Sequence, residues 1–204
     1  MSSLREFAAD LARLKRYIFT GALIFIAGIA IGYGTDALDR FLLGQADSLR
    51  QTVERLDQMD NAQVWIFLFI FFNNFIKAVA VVFLGALFGI FPVFLLTVNG
   101  MLLGYIVSVA AESGIDAGSM VVRGILPHGV LELTAIIIAA AYGLRYGGLI
   151  FRELAGAIRG RRRDERGELK RFHGSLKRLI AFLFLSLLAA AFIESTITFW
   201  LVRG

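Results

Sequence analysis

Residues 64–111 read VWIFLFIFFNNFIKAVAVVFLGALFGIFPVFLLTVNGMLLGYIVSVAA, and the only charged residue in that run is Lys77. A helix lying on a soluble core needs a polar face, and this stretch offers none. Its length suits two consecutive bilayer spans of about 20 residues each. An uncharged turn at 85–91 divides it, and Pro92 is placed for the first turn of the second helix, where its missing N–H costs nothing. The run therefore predicts spans over 65–84 and 92–111.

Outward from it, the same pattern recurs. Tyr17 to Tyr33 is a slightly short first span with a tyrosine at each interface. It is followed by Gly34, Thr35 and Asp36 rather than a small-residue cleavage site, so it reads as retained. A fourth span covers 126–147 and a fifth 179–202. The 204-residue chain is 58 % hydrophobic and 18 % charged, with a mean hydropathy of +0.73. A soluble domain carries about a quarter charged residues. The expected fold is a single all-α membrane domain. It is a polytopic helical bundle of about five transmembrane helices, plus an external amphipathic helix and cytoplasmic interfacial helices.

The charges between the spans set an orientation. Residues 1–16 form an amphipathic leader with Leu4, Phe7, Leu11 and Leu14 on one face, suited to the cytoplasmic membrane surface. Residues 34–63 carry six acids (Asp36, Asp39, Asp47, Glu54, Asp57, Asp60) against three bases (Arg40, Arg50, Arg55). Within them Leu42, Ala46, Leu49, Val53 and Leu56 form an apolar stripe. It predicts a helix outside the membrane that docks on lipid, on its own bundle or on another protein. From Arg145 to Arg178 there are eleven bases and four acids, and the expectation for 148–178 is a basic cytoplasmic loop. The positive-inside rule then places the leader and that loop in the cytoplasm, with 34–63 and the C-terminus outside. The net charge of +5 follows from this asymmetry. Basic residues interleaved with aromatics on a folded surface are missing, so nucleic acid is not an expected partner. No cysteine is present, which removes disulfides, thiol catalysis and thiolate metal ligands.

Ionisable residues inside a bilayer are costly and mark candidate sites. Here they are Lys77, Glu132 and Glu194, joined by His128 and the amides Asn73, Asn74 and Asn99. At about 1.5 Å per residue, Glu132 lies roughly 9 Å below the outer edge. Glu194 lies roughly 8 Å below the outer edge of a ~30 Å core. Asn73 and Lys77 share a helix face, as do His128 and Glu132. The residues predict one buried polar cluster in the outer half of the bundle. One reading is interhelical glue that fixes registry. Another is a proton- or ion-handling site, since two carboxylates at one level can share a proton. A third is a catalytic site. Zinc-peptidase chemistry wants a pattern such as His-Glu-x-x-His plus a third ligand. One membrane histidine with one glutamate four residues on falls short of it, and His173 lies in the basic segment. No catalytic residue, cofactor or metal ion is expected. Pro127-His128-Gly129 suits a helix start, with a broken or re-entrant helix as the alternative.

Gly28 and Gly32 form a small-xxx-small pair, as do Gly85/Gly89, Gly100/Gly104 and Gly143/Gly147. Such faces admit close helix approach. Most would serve inside the bundle, and they also suggest a homodimer, with the 42–56 stripe as a second contact.

Several segments together resemble the stage II sporulation protein M family, also described as a domain of unknown function. They are Asn73-Asn74, then Gly85-xxx-Gly89-xx-Pro92, then Asn99-Gly100-xx-Leu103-Gly104. The most specific block is Leu126-Pro-His-Gly-Val-Leu-Glu-Leu-Thr-Ala135, running on to Gly143-Leu-Arg-Tyr-Gly147, with Ala191-Phe-Ile-Glu-Ser-Thr196 last. The resemblance covers most of the chain after residue 65. It implies a multi-pass membrane protein of the prokaryotic plasma membrane. In spore formers the namesake belongs to a membrane complex that remodels peptidoglycan during engulfment, where it anchors a hydrolase. No hydrolase domain is recognisable in this chain. The expected function is a membrane scaffold or anchor in a cell-envelope complex, not an enzyme, with lipid and other envelope proteins as partners. The alternative is a small ion- or proton-coupled permease or channel, against which the lack of an inverted repeat counts. An intramembrane enzyme ranks third.

Overall fold

The computed structural model describes residues 2–34, 39–158 and 165–198. Among the described residues there is no strand, and five helices are long and apolar enough to cross a membrane. In chain order the α-helices are α1 (Ser2–Gly34), α2 (Asp39–Asp57), α3 (Ala62–Leu84), α4 (Ile90–Glu112), α5 (Ala117–Met120), α6 (Leu126–Ile158) and α7 (Glu165–Ile193), the spans being α1, α3, α4, α5 to α6, and α7. Two π-helical turns interrupt the α pattern, at Val121–Ile125 before α6 and at Glu194–Thr198 after α7.

Helix α6 is the centre of the bundle, packing against α1, α3, α4 and α7. Its run Ala135, Ile136, Ile138 to Gly143 is buried. The small residues there let neighbouring backbones approach, which matters because lipid tails leave little hydrophobic drive between helices. One core joins Leu14, Phe71, Val81, Ala139, Tyr142, Phe172, Leu183 and Leu187 from α1, α3, α6 and α7. A second joins Phe25, Leu96, Ile136 and Ala140 from α1, α4 and α6. The outward surface is apolar as well: Phe19, Ile26, Phe72, Ile76, Phe94, Leu185 and Phe192 are all exposed. That suits a lipid surround.

The glycine pairs meet each other inside the chain. A Cβ on Gly32 would run into the carbonyl of Met101, and one on Gly100 or Gly104 into the carbonyls of Phe25 or Ile29. This is the α1–α4 crossing, the most extensive helix pair among the described residues. The α3–α4 turn sits likewise on α6. Gly85 abuts Gly143, and Gly147 abuts Gly85, Phe88 and Gly89. Gly89 has φ of 77°, a left-handed conformation that a side chain would strain. With these faces occupied within one chain, they are not available to a second copy, and the glycine argument for a homodimer loses its footing.

Two sequence expectations change in detail, and a third takes definite form. The leader and first span form one unbroken helix, and the leader's apolar face is used by the protein itself. Leu14 is fully buried, and Phe7 packs on Phe182 with ring centroids 5.1 Å apart, while Leu4 stays exposed. The basic stretch 148–178, expected as a loop with interfacial helices, continues the two spans as helix at 148–158 and 165–178. α6 runs on to Ile158 and α7 begins at Glu165, linked by Arg152–Glu168 at 3.4 Å. Counting charges locates such a segment but ignores helix continuation. The 34–63 segment does hold a helix, α2. Leu42 buries fully against Met101 and Tyr105 of α4, whereas Leu49 remains exposed. Asp36, residues 159–164 and 199–204 lie outside the described residues, and with them the expected end of the fifth span and the C-terminus.

Pro127 causes no break. Proline removes an N–H and clashes with the carbonyl four residues earlier. Here the wider π turn at Val121–Ile125 precedes it, with the Leu126 N–H bonding to Val121 O, so helix runs from Ala117 to Ile158. π turns inside α-helices recur at functional sites.

Candidate functional site

The two π turns pack against each other, and the polar residues gather beside them. His128 stands one turn before Glu132 on α6, and Glu194 opens the second π turn. His128 Nε2 is 3.8 Å from Glu194 Oε2, with the side chains 12 % and 32 % exposed. Ligand-type atoms of His128, Glu132 and Glu194 all lie within 4.8 Å of one another. Glu132 and Glu194 interact as like charges. Gln63, at the start of α3, donates to the Ser195 carbonyl at 3.3 Å, tying a third helix to this turn.

Lys77 of α3 lies within electrostatic range of Glu132. It is nevertheless an exposed residue, which corrects the expectation that it is buried with the acids. α3 turns Ala78, Val81 and Val82 to the core, so the neighbouring Lys77 stands at the rim. Only its long stem can carry the ammonium toward the carboxylates. Asn73 and Asn74 are half-buried and bond to each other at 3.5 Å rather than to the acids. Asn99 is half-buried on α4 next to Gly100, at the α1–α4 crossing. The cluster the structure assembles is thus His128, Glu132 and Glu194, flanked by Lys77. It is open on one side instead of sealed.

A second polar contact escapes a reading by spacing. Arg178 of α7 donates to Asp10 Oδ2 through Nε at 3.0 Å and Nη2 at 2.7 Å, and through Nη1 to Glu6 at 2.8 Å. Asp10 is 8 % exposed. Its signal was present in the sequence: an acid set between Phe7 and Leu14 on an apolar stripe implies a partner. Gln63 and Ser195 carried no such signal.

The comparisons with known proteins name one family. A family model described as Stage II sporulation protein M matches residues 21–199. An uncharacterized protein of Methanocaldococcus jannaschii is 28 % identical over 206 residues, which cover 98 % of this chain and 89 % of the relative. No solved structure matches.

Proposed function

This chain belongs to the stage II sporulation protein M family, and from that premise we propose that it is a membrane scaffold that anchors partners of a cell-envelope complex. The observation that carries the reading is the packing between its two polar regions. Along the α6–α7 interface stand Ala135, Ala139, Tyr142, Leu183 and Leu187, each at most 1 % exposed. A permeation path from the His128 cluster toward Arg178 would have to displace that apolar filling. Two surfaces remain for partners. One is α2, with Phe41, Leu43 and Leu49 exposed beside the docked Leu42. The other is the α6–α7 hairpin, whose Arg152, Lys170 and Arg171 are exposed. By the positive-inside rule the hairpin faces the cytoplasm and α2 the outside.

The permease reading draws on the half-open His128, Glu132 and Glu194 cluster. One experiment separates the two. Photo-crosslinking side chains are placed at Leu49 and at Lys170 in native membranes, and the purified chain is tested in proteoliposomes for proton and cation flux. The scaffold reading expects adducts from Leu49 with an external envelope protein, adducts from Lys170 on the cytoplasmic side, and no flux above empty vesicles. Flux abolished by Glu132→Gln, with no adduct at either position, would overturn it.

A further inference from the structure

We propose that His128, Glu132 and Glu194 form a binding site for a divalent transition-metal ion, best matched by Zn²⁺, with one coordination position left open. This inference stands independently of the scaffold reading. The donor set is one imidazole and two carboxylates, contributed by two helices that meet through their π turns. Zn²⁺ takes nitrogen and oxygen ligands at about 2.0–2.2 Å in a tetrahedron. Ligand atoms then sit roughly 3.3 Å apart along each edge. The His128–Glu194 separation of 3.8 Å is already near that value. The full set lies within 4.8 Å, so no pair has more than about 1.5 Å to close to reach that edge.

The charge argument is independent of the distances. Two carboxylates in a membrane-spanning region need compensation. Lys77 is one cation at the rim, in range of Glu132, and it leaves the pair of acids one positive charge short. A divalent ion between the acids matches both of their charges without Lys77, which then becomes a competing cation, and it replaces like-charge repulsion with shared coordination. A dedicated Mg²⁺ or Ca²⁺ site would favour an all-oxygen shell. The imidazole shifts the preference to zinc or another first-row ion. Glu194 is 32 % exposed on its side chain, and that side gives a water or a partner's ligand access to the fourth position.

The test uses the full chain without a histidine tag, purified in mild detergent and stripped with a chelator. Zn²⁺ is titrated back, metal content is measured after desalting, and Co²⁺ serves as an absorbing probe of geometry. The expected result is one ion per chain and a tetrahedral Co²⁺ spectrum that Zn²⁺ displaces. His128→Ala, Glu132→Gln and Glu194→Gln should each weaken binding by about tenfold or more, while Glu112→Gln, exposed at the end of α4, leaves it unchanged. Lys77→Met should tighten binding, because a competing cation is removed from Glu132. That variant and the Co²⁺ spectrum of the unaltered chain keep the test decisive if a ligand variant does not fold. No stoichiometric uptake, binding indifferent to His128→Ala, an octahedral Co²⁺ spectrum, or weaker binding in Lys77→Met would each overturn the assignment.

Discussion

Two charged sites sit on one helix, and they are built in opposite ways. Arg178 and Glu194 are separated along α7 and its terminal π turn by roughly 24 Å. At Arg178 a single guanidinium engages two carboxylates through three bonds of 2.7–3.0 Å. At Glu194 two carboxylates and an imidazole stand near one another, with the His128 contact at 3.8 Å and a lysine only in range. The first site is closed by its own residues: planar guanidinium donors match carboxylate acceptors, and geometry and charge are both answered within the chain. The second has acceptors in excess and room between them. A site of the first kind holds helices together. A site of the second kind leaves room for a further ligand.

Because α6 carries His128 and Glu132 and packs on both helices of the closed site, the largest effect should come from prising the α3–α4 turn off that helix. A leucine at Gly147 would drive its Cβ into the backbone of Gly85, Phe88 and Gly89. Gly147→Leu should cost about 3 kcal/mol or more, beyond ordinary overpacking because backbone has to move. It should appear as aggregation on size exclusion in detergent. Gly174→Leu, where nothing lies within 4 Å, should run as the parent chain does. Equal behaviour of the two would mean that the α3–α4 turn is not seated on α6.

Next in size is the closed site. Arg178→Gln removes the charge that answers Asp10 and Glu6, so residues 4–16 should lose hydrogen-exchange protection. Arg178→Lys should lose less, because an ammonium keeps the charge but not the fork. Protection unchanged in Arg178→Gln would show that Phe7 and Leu14 alone hold the leader.

The smallest effect is the most telling, because its sign differs between the sites. In chelator-treated protein, Asp10→Asn should lower the melting temperature, since the guanidinium loses its counter-charge. Glu194→Gln should leave stability unchanged or raise it by up to about 1 kcal/mol, because it relieves one of two facing acids. Thermal melts in detergent measure both. A fall in both variants would erase the distinction drawn between the sites.

Much of this architecture is written in hydrophobic runs. The 64–111 stretch specifies two spans because no polar face exists to place it elsewhere, and the other three spans follow from the same logic. What escaped is what a run or a charge count cannot encode. Leu11 and Leu14 form the same stripe whether they meet lipid or α7, so the leader's neighbour was illegible, although Asp10 in that stripe pointed to a cation. The 148–178 segment was expected to hold interfacial helices, but that α6 and α7 themselves run on through Arg152 and Lys170 leaves little mark in a charge count. His128 and Glu132 are paired by spacing on α6. Glu194 reaches them from 62 residues further along the chain, which only a depth estimate could suggest. The π turns that bring α6 and α7 together have no recognisable sequence signature, and the exposure of Lys77 depends on which side of α3 faces the core.

The α1–α4 crossing has a consequence for the birth of the protein. Gly28 and Gly32 find their counterparts at Thr97, Gly100 and Met101, nearly 70 residues downstream. At a synthesis rate of 5–20 residues per second, the interval is roughly 4–14 s. During it α1 would be in the bilayer without its main mate, its glycine groove presenting bare backbone to any passing helix. The groove that later locks the bundle is, in those seconds, a vacancy that a chaperone or a neighbouring nascent chain could fill first.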